Sequence, residues 1–353
     1  MRQIFGLTLL STLSLAFSHT ISAQVACLHE FRELTRLVEE NYAGYADVAR
    51  QDVELAQERT RERIQYNPAI DCFAELSNWL TIFADPHLEI LPIESAEQHR
   101  DKKIAMTEIQ AAQASIDWLS SDVAHVRLPM FDDSAQQSLS EFIHRNRQQL
   151  HAAEGMIIDV RGNQGESFIA MRQWLALIGS EEYLSRWHVL ASPANKTHYQ
   201  QRLEQVDSVQ LPKVNAMYTK LLNQMDAYPN TWIEYLWPTV NSDLILPNLH
   251  TIYLLIDDEV ANAAEEFVIA ARSNSHVTVM GTHTKGALDY GEAVTYPIGV
   301  GDGYQVLIPS QKRVWYQYGP IDNSGLAPDV FVRMEGKSLV SHAYLTLKRS
   351  MMP

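Results

Sequence analysis

Apolar residues recur at three- and four-residue steps from Leu28 to about Ala84, with charged residues between them, in "HEFRELTRLVEENYAGY" and "CFAELSNWLTIF". That spacing places one apolar stripe on each of a series of amphipathic helices. The pattern then breaks at "FADPHLEI", where Pro86 and its polar neighbours mark a turn before a short strand. In "SIDWLSSDVAHVRLPMF" the alternation has a period of two around "SSD", which predicts paired strands. "SAQQSLSEFIHRNRQQLH" returns to helical spacing, with Ser134 as a candidate cap.

The next apolar run, "GMIIDVRGNQGES", is continuous rather than alternating and suits a strand covered on both faces, followed by the helical "FIAMRQWLALIG". The same order returns in "TIYLLIDDEV", "AAEEFVIAARSN" and "VTVMG". Repeated strand, loop and helix units predict an α/β core with functional groups at strand ends. Residues from about 180 to 245 are too long for a loop and read as an inserted helical subdomain or lid. The domain reading is therefore a segment 1–23 outside the fold, a helical cap over 24–90, and an α/β core over 105–345 that carries the insertion.

The segment 1–23 has a basic start at Arg2, an apolar run and a small-residue end at "ISA", the pattern of a signal peptide. No later run is long and apolar enough to span a bilayer, so an exported protein without a stable membrane span is expected. The only two cysteines are Cys27 and Cys72. In an oxidising compartment an even pair favours a disulfide; two buried thiols are the alternative. The formal net charge of −15 argues against nucleic-acid partners and anionic lipid surfaces.

Asn262 stands where a buried strand gives way to a helix. Free backbone N–H groups at such a junction attract a developing oxyanion, and a nucleophile there would lie beside the N–H of Ala263. An asparagine amide, however, has no group that ionises to attack a carbonyl. Local physics favours a helix cap instead, with Glu265 reaching back as in a capping box.

Five segments in order, "DPHLEI", "IIDVRGNQG", "VANAAEEF", "VMGTHTKGALDYGE" and "IDNSGLAPDV", resemble the S41 peptidases, a family that includes tail-specific and C-terminal processing proteases and the tricorn core protease. The resemblance spans most of residues 75–335 and implies a crotonase-like α/β fold and a serine-type peptidase acting on peptides or protein tails, without a cofactor or metal. It places the nucleophile at Asn262, in a segment resembling "SAAE". The processing branch would supply a lysine base in a "T-x-G-K" pattern, where this chain has Ala287 after Thr284-Lys285-Gly286. The tricorn-like branch implies His87 as base, Asp322 as the group orienting it, and the N–H groups of Gly165 and Ala263 as oxyanion donors.

The residues keep other readings open. His87 after Pro86 also suits a turn or a buried hydrogen bond, and Asp322 in "GPIDNSG" also suits a turn. Asp159 and Arg161 read as a structural ion pair. Asp257, Asp258 and Glu259 lack converging partners for a metal, and His276 and His283 read as ordinary surface or core residues. About thirty residues separate "DPHLEI" from "SIDWLSS", too few for a PDZ domain, so peptides would be held by the core or the insertion. Three activities follow from these residues: a serine peptidase, with Ser167 or Ser324 as substitute nucleophiles; a pseudopeptidase that binds peptides; and hydrolysis by water that His87 activates.

Overall fold

The computed structural model describes residues 10–93, 114–132, 135–180, 183–238, 246, 248–299, 303–314, 319–334 and 336–351. Helices α1 (Leu10–Asn41), α2 (Arg50–Tyr66) and α3 (Cys72–Leu80) form the N-terminal layer. Asp71 caps α3 by accepting the Ala74 N–H at 3.1 Å. The apolar stripes seen in the sequence meet one another: Phe31, Leu34, Val38, Ile64, Leu76 and Trp79 form one buried cluster. Cys27 and Cys72 are joined in a disulfide that ties α1 to the start of α3. Helix α1 begins within the segment expected to lie outside the fold, and residues 1–9 are outside the described residues.

The cap packs on an antiparallel five-stranded sheet of β1 (Glu89–Pro92), β5 (Arg186–Leu190), β6 (Trp232–Leu236), β9 (Tyr290–Ile298) and β10 (Tyr304–Arg313). β10 is its organiser, pairing β9 on one side and both β1 and β5 on the other. The second sheet follows the order β11-β8-β7-β4-β3-β2. Its strands are β2 (Ser115–Trp118), β3 (Val123–Arg127), β4 (Gly155–Asp159), β7 (Thr251–Ile256), β8 (Val277–Gly281) and β11 (Val330–Phe331). All neighbours run parallel except β2, which pairs antiparallel with β3.

β4 is buried at every position because both its faces are covered. Met156 and Ile158 enter the large core with helices α4 (Ala135–Ala152), α5 (Phe168–Leu177) and α8 (Ala263–Ala271), while Ile157 meets Leu339, Ala343 and Leu347 of α9 (Gly336–Ser350). A two-faced strand has no polar side to show, hence the unbroken apolar run. Ser134, the expected cap of α4, lies outside the described residues.

Residues 180–245 hold two helices, α6 (Pro193–Gln205) and α7 (Pro212–Ala227), flanked by β5 and β6. The strands pair with each other, and β5 joins the first sheet through β10. The segment is thus a strand, two helices and a strand sharing the main core through Trp187, Tyr199, Tyr218 and Tyr235. Among the described residues, no helix is long and apolar enough to cross a membrane.

Candidate active site

Asn262 sits between β7 and α8 with φ 55° and ψ −123°. This is a sharp strand-to-helix turn that side-chain-bearing residues seldom adopt, costing on the order of 1–3 kcal/mol, and it thrusts the side chain out of the turn. The capping box expected here is not formed in the anticipated way: the Asn262 side chain makes no cap hydrogen bond. Its Nδ2 donates to the Gln164 carbonyl at 3.2 Å, and its Oδ1 lies 2.7 Å from His87 Nε2. With the amide oriented by Gln164, Oδ1 faces the imidazole and Nε2 must be the donor.

Glu265, buried and three residues on, does bond back to the Asn262 backbone N–H, the half of the box that forms, and it serves the neighbouring loop as well. It accepts N–H groups from Gly286 and Ala287, each at 2.8 Å, and the Thr284 hydroxyl. Thr284 Oγ1 in turn accepts the Leu326 N–H at 2.7 Å. Gly286, at φ 80°, is pressed against this second loop, where a Cβ would meet the Ile321 carbonyl oxygen at 2.5 Å. The clamp brings Ala287 to the wall of the same cavity as Asn262 and leaves Lys285 exposed, so no lysine base is supplied from this segment.

His87 follows Ala84 (φ 52°) and Asp85, just before β1. Asp85 Oδ1 accepts the His87 backbone N–H at 2.8 Å and stands 3.3 Å from Nδ1. The carboxylate that contacts the imidazole is therefore Asp85, where the resemblance placed Asp322. Asp322 belongs to the same cluster: single ligand atoms of Asp85, His87 and Asp322 all lie within 4.8 Å of one another. Its Oδ1, however, is turned to the N–H groups of Leu288 and Asp289, at 2.7 and 2.8 Å. Asp289 reciprocates by accepting the N–H groups of Ile321 and Asp322. Asn323 Nδ2 donates to the Ala84 carbonyl at 2.6 Å and so stitches the two acidic loops together.

Burial and the charges gathered here shift His87, Asp289 and Asp322. Burial alone would lower His87, but the hydrogen bond and charge of Asp85, the Asn262 carbonyl and the Asp322 charge raise it to about 9. Burial, with the charges of Asp289 and Asp85, pushes Asp322 up to about 7 against the amides that hold it. At neutral pH the ring is an imidazolium donating from both nitrogens, so it is not poised to accept a proton.

Both expected oxyanion donors are engaged inside the protein. The Ala263 N–H donates to the Gly165 carbonyl at 3.0 Å, and the Gly165 N–H donates to Asn163 Oδ1 at 3.1 Å. Gly165 is required by a close protein contact rather than by a ligand, since a Cβ there would meet the Phe131 carbonyl oxygen at 2.0 Å. The candidate substitute nucleophiles are engaged too. Ser167 Oγ caps α5 by accepting the Ala170 N–H, and the Ser324 hydroxyl donates to the Ile321 carbonyl.

Asn262 and His87 open on a cavity of about 580 Å³. Phe168, Trp187 and Leu288 give it an apolar wall; Glu292 also lines it and pairs with His198 and Arg202 at 2.9 Å each. His198 and Arg202 come from α6, so the inserted segment contributes to the cavity. Asp159 is gripped by Arg161 and Arg127 at the end of β4, the structural pair that the sequence suggested. Asp85 escaped the sequence reading although it stands two residues before His87; its spacing, which allows a carboxylate to accept the N–H two residues on, was the available signal.

The sequence model described as "Peptidase family S41" matches residues 122–332. No curated protein matches the sequence. Among solved structures, mature CPAF complexed with lactacystin is 12% identical, with a TM-score of 0.60 over 92% of this chain and 98% of that one. A lipoprotein from Streptococcus agalactiae is 14% identical, with a TM-score of 0.56 over 92% and 97%. A Parabacteroides merdae protein is 18% identical, with a TM-score of 0.56 over 93% and 99%. At these identities the likeness is one of fold.

Proposed function

The chain belongs to peptidase family S41, and we propose that it is an exported member that binds peptides or protein tails in the Asn262 cavity without forming an acyl-enzyme. The observation that carries this reading is the 2.7 Å contact between His87 Nε2 and Asn262 Oδ1. In a serine peptidase that nitrogen takes a proton from the nucleophile, so it must present a lone pair. Here it faces an oxygen acceptor and carries the proton itself. The amide has no hydroxyl to lose, and the two oxyanion donors already have partners.

The same bond weighs against hydrolysis by activated water, which also needs a neutral acceptor at Nε2. Binding needs none of this chemistry. An apolar wall of Phe168, Trp187 and Leu288 suits an apolar peptide side chain, and the polar rim offers hydrogen-bonding partners. Export is supported by the Cys27–Cys72 disulfide, a cross-link that persists in oxidising compartments, and by the charged, apolar and small-residue order of segment 1–23.

The test exposes the protein to a serine-directed fluorophosphonate and, separately, to a dye-labelled peptide library. The reading expects no covalent adduct and saturable binding that Trp187→Ala weakens. Covalent labelling of the wild type that disappears in His87→Ala would establish a working peptidase instead.

A further inference from the structure

We propose that Asp85, His87 Nδ1 and Asp322 form a binding site for a divalent ion of the Zn²⁺ class, with Asn262 as the outer partner that orients the imidazole. The inference goes beyond peptide binding and does not rest on it. No metal-ligand spacing is visible in the sequence, because folding brings Asp322 to the loop of Asp85 and His87 from the far end of the chain.

The first support is convergence. One ligand atom from each of the three residues lies within 4.8 Å of the other two. Around a tetrahedral ion with ligands at about 2 Å, neighbouring ligand atoms stand about 3.3 Å apart. His87 Nδ1 and Asp85 Oδ1 are already 3.3 Å apart. The Asp322 ligand atom, within 4.8 Å of both, reaches the same sphere by a side-chain adjustment.

The second support is independent of the clustering. The Asp85 side chain is fully buried; the Tyr42 hydroxyl is a hydrogen-bonding neighbour of this carboxylate, yet its Oδ2 has no partner of normal geometry among the described residues. Asp322 Oδ2 is buried and likewise without one. A buried carboxylate oxygen left without a donor is costly, and two acids that each carry one beside the same imidazole favour a cation among them.

The third is the surrounding shell. Metal-binding imidazoles generally donate their other N–H to an oxygen that fixes the tautomer. Asn262 Oδ1 supplies that acceptor for Nε2, and Gln164 holds the amide in the required orientation. In the neutral ring the lone pair then lies on Nδ1, facing the carboxylates. Backbone groups hold both acids in place, the His87 N–H bonding Asp85 Oδ1 and the Leu288 and Asp289 N–H groups bonding Asp322 Oδ1. One nitrogen and two carboxylate oxygens suit Zn²⁺ or Co²⁺, whereas Mg²⁺ and Ca²⁺ favour oxygen-only shells.

The test uses the full chain without a histidine tag, stripped with EDTA and titrated with Zn²⁺ by calorimetry and with Co²⁺ by visible absorption. One ion per chain is expected, with d–d bands of a low-coordinate Co²⁺ site that Zn²⁺ abolishes. Asp322→Asn and His87→Gln should each weaken binding by more than about 100-fold, and Asn262→Ala by about 10- to 100-fold, the usual range for an outer-shell partner. His276→Gln, at the surface, should leave it unchanged. Circular dichroism of each metal-free variant identifies any that fails to fold, and for such a variant the wild-type Co²⁺ spectrum, which reports nitrogen and oxygen ligation directly, carries the test. Failure to bind a stoichiometric ion, or binding that survives both ligand substitutions in folded protein, would overturn the site and leave a buried proton as the shared cation.

Discussion

Replacing Asn262 with serine restores the missing hydroxyl yet should not restore an efficient peptidase, and the shortfall can be worked from the geometry. In the native chain, with His87 at about 9, only about one molecule in a hundred has a neutral imidazole at pH 7, and Asp85 and Asp322, which the substitution leaves in place, still favour the charged ring. The Ala263 and Gly165 N–H groups remain bonded to the Gly165 carbonyl and to Asn163. Losing a single oxyanion donor typically costs about 10²–10³ in rate, or about 2.7–4 kcal/mol. The base and one donor together imply a deficit of at least about 10⁴-fold at neutral pH relative to an assembled site. The assay is the rate of fluorophosphonate labelling of Asn262→Ser, read by intact mass from pH 6 to pH 10. The rate should climb about tenfold per pH unit above pH 7 and level off only in the alkaline range, because Asp85 and Asp322 still hold the imidazolium after the Asn262 contribution is gone. A rate that is already maximal at pH 7 would refute the protonated-imidazole argument.

Three further outcomes follow from the same geometry. Asn262→Gly should be more stable than Asn262→Ala by about 1–3 kcal/mol in urea melts, because both lose the His87 contact but only glycine relieves the φ 55°, ψ −123° backbone; equal midpoints would remove the strain. In EDTA, stability should fall between pH 6 and pH 9. The folded chain holds the His87 proton to about pH 9 rather than 6.5, a contribution of about 3 kcal/mol that is complete below pH 6.5 and lost as pH rises through 9, and Asp322 adds a fall of the same sign up to about pH 7; a wild-type pH slope equal to that of His87→Gln would contradict this. Reducing Cys27–Cys72, which closes a loop with a sequence separation of 45, should destabilise the chain by about 4 kcal/mol, measured as the difference in unfolding free energy with and without reductant; no change would show that α1 and α3 are held by packing alone.

The elements that were legible in the sequence are those whose burial is periodic. The helical stripes of the cap, the two-faced run of β4 and the paired strands around Ser120 announce themselves because each has one dominant neighbour on each face. β5 and β6 were hidden inside residues 180–245, since Arg186, His188 and Glu234 place charge on strands whose alternate positions are buried. The site residues His87, Asn262 and Asp322 do converge, but their bonds were not readable. Asn262 had a local use as a cap and took a partner 175 positions away instead. Glu265 kept its bond to the Asn262 backbone but also took on the Thr284 loop, and Asp85 displaced Asp322 beside the ring. Gly165 and Ala263 look like free donors in sequence, and only the packing of the Asn163 loop on the Asn262 turn shows them occupied. Such choices are made by long-range geometry, which neither propensity nor spacing encodes.

The central claim is recognition without acylation, and the direct measurement is incubation of the wild-type chain with a peptide library, read at once by fluorescence anisotropy and by mass spectrometry of the recovered peptides. Saturable binding is expected, with every bound peptide returned at its original mass. Time-dependent cleavage that Asn262→Ala or His87→Ala abolishes would contradict it.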